Sequence, residues 1–134
     1  MERCRRHRGQ MSSLVDRDYS PRLHLMGILS DSGVHGHIEH LFALLSMAKE
    51  IKAQDVFIHV FLDGRDAVYN SGLGYLEQLK RYMKGLSIGK IASIGGRFYA
   101  MDRDRHWERI KKVYDALVIG KASRYAMNPL QAVK

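Results

Sequence analysis

Charged side chains cluster in three short, glycine-containing loops of this 134-residue sequence. The three loops follow apolar runs and carry His35, Arg65, Arg97, Arg103, Asp31, Asp63 and Asp66. Guanidinium groups match the oxygens of carboxylates and phosphates bidentately and keep their charge at physiological pH. An aspartate among such cations stays ionised, so it can accept a proton or a hydrogen bond from a hydroxyl group. Together, these residue types indicate a site for a small, doubly anionic, hydroxylated ligand.

Three apolar runs position these loops, and a helical stretch follows each run. The runs cover residues 23–29, 56–62 and 90–94 and are typical of buried strands. Apolar residues one, three or four positions apart mark one stripe on each helix. The stripe is Leu41, Leu44, Leu45 and Ala48 on the first helix; Leu73, Leu76, Leu79 and Met83 on the second; and Trp107, Ile110, Tyr114 and Leu117 on the third. Tyr99, Met101 and Trp107 are expected to be packing anchors. The alternation predicts an α/β fold, a three-layer βαβαβα unit with a small parallel sheet, as an incomplete piece of a larger substrate-binding domain.

A parallel sheet would bring the three loops to one edge. Ligands of open α/β sheets bind outside the carboxyl ends of the strands, which here lead into residues 31–35, 63–66 and 96–103. A second interpretation is that the charges are solvated surface, or that Arg–Asp pairs only hold the loops together. Both interpretations stay open for each residue taken alone.

The folded domain is predicted to span residues 22–121. Residues 1–21 form a basic lead segment, disordered or extraneous, and residues 122–134 form a truncated tail in which the pattern fades. Arg3, Arg5, Arg6 and Arg8 against Glu2 give the start of the lead segment about +3 of the net charge of +8, and such a basic stretch could attract nucleic acid without specificity. No apolar run approaches the ~18 residues that cross a bilayer, so no membrane partner and a cytoplasmic location are expected.

Metal binding by this chain is not expected. Its single cysteine, Cys4, excludes an internal disulfide and a paired-cysteine zinc site. His37 and His40 lie near a helix start, but no carboxylate at a matching spacing completes a ligand set.

Three segments resemble motifs of the cofactor-independent phosphoglycerate mutases. They are residues 23–37, 61–66 and 96–104, which occur in the order and at the spacing of that family, and the resemblance covers about residues 23–118. It implies an isomerase of glycolysis that interconverts 3-phosphoglycerate and 2-phosphoglycerate. It also implies a phosphatase-like domain in which two manganese ions activate a serine, and a second domain that holds the glycerate. This chain resembles part of the second domain.

The resemblance assigns roles to five residues. His35, Arg65, Asp66, Arg97 and Arg103 match substrate-contacting positions of the family. Arg97 and Arg103 would hold the carboxylate, and His35 would lie near the transferred group. Arg65 and Asp66 would orient the glycerate hydroxyls, with Asp66 as the candidate general base.

The resemblance also implies a limit. Phosphoryl transfer depends on metal ions and cations around the transferring group, and the sequence shows neither a metal-flanked serine nor a two-metal ligand set. The chain alone is therefore expected to bind phosphoglycerate without turnover, with the phosphatase-like domain missing or supplied in trans. Two alternatives are a non-enzymatic phosphometabolite- or nucleic-acid-binding module and a non-functional gene fragment.

Overall fold

The computed structural model describes residues 22–133, so the predicted lead segment 1–21 lies outside it. The strands of this span are β1 (Leu23–Leu29), β2 (Val56–Leu62) and β3 (Lys90–Gly96). Its helices are α1 (Ile38–Glu50), α2 (Gly72–Leu86), α3 (Arg97–Ala100) and α4 (Trp107–Val118). None of these helices has the length and apolarity that crossing a membrane requires.

The strands form one parallel sheet in the order β1-β2-β3. Leu23 pairs with Val56, and the register runs without a shift to Leu29 and Leu62. Between β2 and β3 the register shifts once, at Ile58/His59. β3 is two residues longer than predicted, because its final two glycines pair with the end of β2. All three strands therefore end at one edge, as the sequence predicted.

The hydrophobic core lies between one face of the sheet and the helices α1 and α2. Ile58 and Val60 of β2 meet Leu45 of α1 and Leu76 and Leu79 of α2, and all five are almost completely buried. Full burial of one such side chain contributes about 1.5–3 kcal/mol. The predicted α/β unit with a small parallel sheet is confirmed, and α1 and α2 form the layer that covers this face.

The other face of the sheet carries a row of polar side chains. His24 Nδ1 lies 2.9 Å from His59 Nε2, and His59 Nδ1 lies 2.8 Å from Ser93 Oγ, so the row crosses all three strands. Burial lowers the pKa of His59, and the neighbouring His24 lowers it further. Met26 in β1 is 61% exposed. Among the described residues this face is thus less completely covered than the core face.

The segment after residue 121 has no helix or strand in its described part but contacts the domain. Leu130 and Val133 pack against the core, and Lys80 Nζ of α2 donates a hydrogen bond to Asn128 Oδ1 at 3.2 Å. Residues 122–133 therefore extend the domain surface beside α2.

Two local predictions are wrong. The residues after β3 were expected to form a charged loop, but four of them form the helical turn α3, in which the Met101 amide donates to the Arg97 carbonyl. Trp107 was expected to anchor α4, yet it is 71% exposed and Tyr114 is 58% exposed. The apolar stripe of α4 therefore finds little to pack against within residues 22–133.

Candidate functional site

A cavity of about 790 Å³ opens at the carboxyl ends of β2 and β3. Its volume falls within the ~300–1,000 Å³ typical of small-molecule sites. The charged residues that line it are Asp63, Arg65, Arg97, Asp102, Arg103, Asp104 and Arg109, and aromatic rings are supplied by Tyr69 and Phe98. Its lining therefore holds four arginines against three aspartates.

Asp63 organises the turn that follows β2. Its Oδ1 accepts hydrogen bonds from the backbone amides of Arg65 and Asp66, both at 3.0 Å. Burial raises the pKa of this carboxyl, but those two amides and Arg97 outweigh burial, so the pKa is lowered overall. Asp63 is therefore ionised at neutral pH although its side chain is only 1% exposed. Its Oδ2 is buried without a hydrogen-bond partner among residues 22–133.

Arg97 joins the second and third loops. Its Nη1 lies 3.2 Å from Asp63 Oδ1 and donates a second hydrogen bond to Asp66 Oδ2. The hydrogen bond to Asp66 raises the pKa of Arg97 above its usual range, and burial offsets only part of this rise. As the first residue of α3, directly after β3, Arg97 is a fixed positive charge at the sheet edge.

His35 brings the first loop to the same place. Its Nε2 lies 3.8 Å from Asp66 Oδ2. The neighbouring loop residue Asp31 accepts a hydrogen bond from the Tyr75 hydroxyl at 2.6 Å, and this bond and burial raise the pKa of Tyr75. Helix α2 therefore holds the loop that presents His35 to Asp66.

Arg65 and Arg103 are exposed residues that line the cavity. No carboxylate of the described part of the chain lies within ion-pairing distance of either guanidinium. Two positive charges thus face the cavity with no ion-pair partner among residues 22–133. Uncompensated cations in a concave site raise the local concentration of anions.

Asp102 shapes the loop that carries Arg103. Its Oδ2 accepts from the amides of His106 at 2.8 Å and Asp104 at 3.1 Å. Its Oδ1 lies 3.1 Å from His106 Nδ1 and accepts from Arg109 Nη1 at 3.0 Å. Burial raises the pKa of Asp102, but the bonds from His106 and Asp104 outweigh it and the pKa is lowered.

Asp102, Asp104 and His106 could in principle hold a metal ion, since one ligand atom from each lies within 4.8 Å of the others. The surroundings of Asp102 argue against this use. Both of its oxygens already accept hydrogen bonds, and the Arg109 guanidinium would repel a cation there. These residues do not fit a two-metal centre for phosphoryl transfer.

The structure brings all five predicted site residues to one edge. Arg65, Arg97 and Arg103 line the cavity, whereas Asp66 contacts Arg97 and His35 in turn lies 3.8 Å from Asp66. Their roles toward a ligand stay predictions. Asp102 and Arg109 were not predicted as site residues, because their spacing of seven residues is informative only once the start of α4 is known.

A parallel α/β unit with a cavity lined by four arginines at the carboxyl edge of its strands is an arrangement suited to small anionic ligands. The sequence model described as the BPG-independent PGAM N-terminus matches residues 9–134. The chain belongs to this family. The match includes part of the segment 1–21 and all of the segment 122–134.

Curated relatives carry the name 2,3-bisphosphoglycerate-independent phosphoglycerate mutase. One from Listeria welshimeri is 52% identical over 112 residues, which are 84% of this chain and 22% of the relative. One from Moorella thermoacetica is 50% identical over 118 residues, which are 88% of this chain and 23% of the relative. The chain thus spans about a fifth of the length of the curated relatives it matches.

A solved structure supports the fold. Leishmania mexicana phosphoglycerate mutase, crystallised at low cobalt concentration, superposes with a TM-score of 0.79 at 30% sequence identity. The superposition covers 84% of this chain and 21% of that chain. The three-stranded parallel sheet and its helices are thus similar to part of a known phosphoglycerate mutase.

Proposed function

We propose that this chain holds phosphoglycerate for a cofactor-independent phosphoglycerate mutase, which interconverts 3-phosphoglycerate and 2-phosphoglycerate in glycolysis. One observation carries the proposal: Arg65, Arg97 and Arg103, which come from two separate loops, line a single cavity. Phosphoglycerate offers a carboxylate, a phosphate and a hydroxyl group. Arginine forks suit the first two groups, and the nearby carboxylate of Asp66 suits the third.

Arg97 and Arg103 would hold the carboxylate of the ligand. Arg97 uses Nη1 for Asp63 and Asp66, which leaves N–H donors on its other nitrogens. Arg103 has no carboxylate partner in the described residues, so its whole fork is available. The fixed guanidinium of Arg97 and the free guanidinium of Arg103 would together bind the carboxylate and orient the ligand.

Arg65 and Asp66 would orient the glycerate hydroxyl groups, and His35 would lie near the transferred phosphoryl group. Arg97 engages Asp66 through Oδ2, so Oδ1 is the acceptor proposed for a substrate hydroxyl. This is the position from which Asp66 would act as general base. His35, 3.8 Å from the same carboxylate, would approach the ligand from the first loop.

The transfer step itself lies outside this proposal. Two manganese ions, which the family resemblance implies, would supply a metal-activated nucleophile when bound, and Asp102, Asp104 and His106 do not suit them. We propose that these ions belong to a phosphatase-like domain, in the same polypeptide or in trans. A glycolytic substrate also favours a cytoplasmic location.

Calorimetric titration with 3-phosphoglycerate tests the proposal. We expect saturable binding by the 134-residue chain. Arg65→Gln/Arg103→Gln should weaken it at least about tenfold, since each charge-assisted hydrogen bond contributes about 1.5–3 kcal/mol. This pair is preferred to an Arg97 variant, because Arg97 also neutralises Asp63 and Asp66.

The matched control is Arg81→Gln/Arg124→Gln. Both residues are exposed and do not line this cavity, and the control removes the same amount of charge. It should bind within about twofold of wild type. Equal affinities for the two double variants would refute the proposed site.

A further inference from the structure

We infer that Arg109 and Asp102 are positioning residues that fix the distance between Arg97 and Arg103. The inference rests on the proposed function, because Arg97 and Arg103 are the residues assigned to the ligand carboxylate. Arg109 lies in α4, outside the three motifs that carry the family resemblance.

The first contact connects Arg109 to the loop of Arg103. Arg109 Nη1 donates to Asp102 Oδ1 at 3.0 Å, and the Asp102 side chain is only 3% exposed. The same carboxylate accepts from the amides of Asp104 and His106, which closes a turn with Arg103 inside it. The position of Arg103 therefore depends on the orientation of Asp102.

The second contact connects Arg109 to the helical turn of Arg97. The Arg109 guanidinium carbon lies 4.1 Å from the centroid of the Phe98 ring. Phe98 directly follows Arg97 in α3 and is itself 60% exposed, so the guanidinium covers one of its few packed surfaces. A planar guanidinium can stack on a ring with its face and donate a hydrogen bond with its edge at the same time.

One side chain thus joins the two segments that supply the carboxylate-binding arginines. Lysine cannot make both contacts with the same geometry, because its ammonium is a point charge. Arg109 also borders the cavity, which raises the question of direct ligand contact. The two roles differ in what lysine restores, because lysine keeps a positive charge for direct ligand contact but cannot keep the paired contacts with Asp102 and Phe98.

A double-mutant cycle measured by calorimetric titration with 3-phosphoglycerate tests this inference. Arg109→Gln should weaken binding at least about fivefold, and Asp102→Asn by a similar factor. The double variant should be no more than about twofold weaker than the worse single variant, because each change breaks the same link. Arg109→Lys should recover only part of the loss. Arg81→Gln, an equal change of charge on α2, should stay within twofold of wild type.

Several outcomes would overturn the inference. They are wild-type affinity for Arg109→Gln, a full recovery by lysine, wild-type affinity for Asp102→Asn, and a double variant whose loss is the product of the single losses. A melting temperature measured for each variant identifies one that does not fold, in which case Arg109→Lys and Asp102→Asn decide. If wild type does not bind, the proposed function and this inference both fail. If Arg65→Gln/Arg103→Gln abolishes binding while Arg109→Gln does not affect it, only the inference fails.

Discussion

The carboxylate of Asp63 has two backbone amides and a guanidinium around one oxygen, and almost none of its surface reaches solvent. It directly follows β2, which places it at the sheet edge, and the chain then folds back so that the amides of Arg65 and Asp66 point at it. Arg97 is held by this carboxylate and by Asp66. Asp63 therefore fixes the positions of the neighbouring charged residues Arg65, Asp66 and Arg97.

Replacing Asp63 by asparagine should make the chain less stable at neutral pH, and the deficit should shrink in acid. The loss should be about 1.5–3 kcal/mol in the free energy of unfolding, since a bond to a charged group is lost. The pKa of Asp63 is lowered from 3.8, so its stabilising effect is complete above about pH 4 and is lost as pH falls through the folded-state pKa. Urea unfolding at pH 7, 5 and 3 measures this.

Asp55→Asn is the control for that comparison. Asp55 precedes β2 as Asp63 follows it, and no hydrogen bond or ion pair of its carboxylate is found in residues 22–133. Its substitution should change the free energy of unfolding by less than about 0.5 kcal/mol. A deficit for Asp63→Asn that stays constant from pH 7 to pH 3 would contradict the lowered pKa.

At the residue level, the sequence reveals which loops carry charge but not how the charges pair. The five site residues follow from the loop motifs, whereas the pairing of Arg97 with both Asp63 and Asp66 depends on side-chain geometry. Arg109 could not be predicted, because its partner Asp102 lies in a loop and its ring partner Phe98 in a helical turn that no pattern predicted. Such contacts depend on tertiary structure.

The elements themselves follow closely from sequence. β1 and β2 have the same bounds as the predicted apolar runs 23–29 and 56–62. α1 contains the predicted apolar stripe and begins at Ile38, because His37 caps it by accepting from the Glu39 amide at 3.2 Å. α4 has a helical pattern, yet the sequence cannot say whether its apolar stripe is covered.

The junction between α2 and β3 offers a test at this scale. Gly89 has a φ of +86°, and a methyl group on it would lie 3.0 Å from Ile58 Cδ1 in the core. Gly89→Ala should therefore lower the free energy of unfolding by about 1–3 kcal/mol, from backbone strain and crowding. Urea denaturation of the chain measures the difference.

Gly85→Ala is the matched substitution. Gly85 lies in α2 with nothing within 4 Å of the added carbon, so alanine should leave stability unchanged or raise it by up to about 0.5–1 kcal/mol. If Gly89→Ala lowered the free energy of unfolding no more than Gly85→Ala does, the close packing described at the junction between α2 and β3 would be contradicted.

For the molecule as a whole, the parallel sheet and its functional edge could be predicted because both follow from the alternation of strands and helices. The sequence could not predict how much of each apolar surface is packed. Met26, Trp107 and Tyr114 are largely exposed within the described residues, although each occurs in an apolar pattern. A pattern marks a side chain as able to be buried, and the tertiary structure decides whether it is.

The net charge of +8 makes the location of a bound anion the decisive question. Arg3, Arg5, Arg6 and Arg8 give the first ten residues a strong positive charge of their own, which could attract phosphoglycerate without a site. Affinity alone does not distinguish such attraction from binding in the cavity. A residue-resolved measurement does.

The most direct test follows amide chemical shifts of the ¹⁵N-labelled chain during titration with 3-phosphoglycerate. We expect saturable shifts for Gly64, Arg65, Gly96 and Arg103, with one dissociation constant, and little change at the far end of α1 near Lys49. The first four residues lie in the loops at the carboxyl edge of the sheet, whereas Lys49 lies at the C-terminal end of α1, away from that edge. Shifts confined to residues 1–10, or changes without saturation, would contradict a phosphoglycerate site formed by these loops.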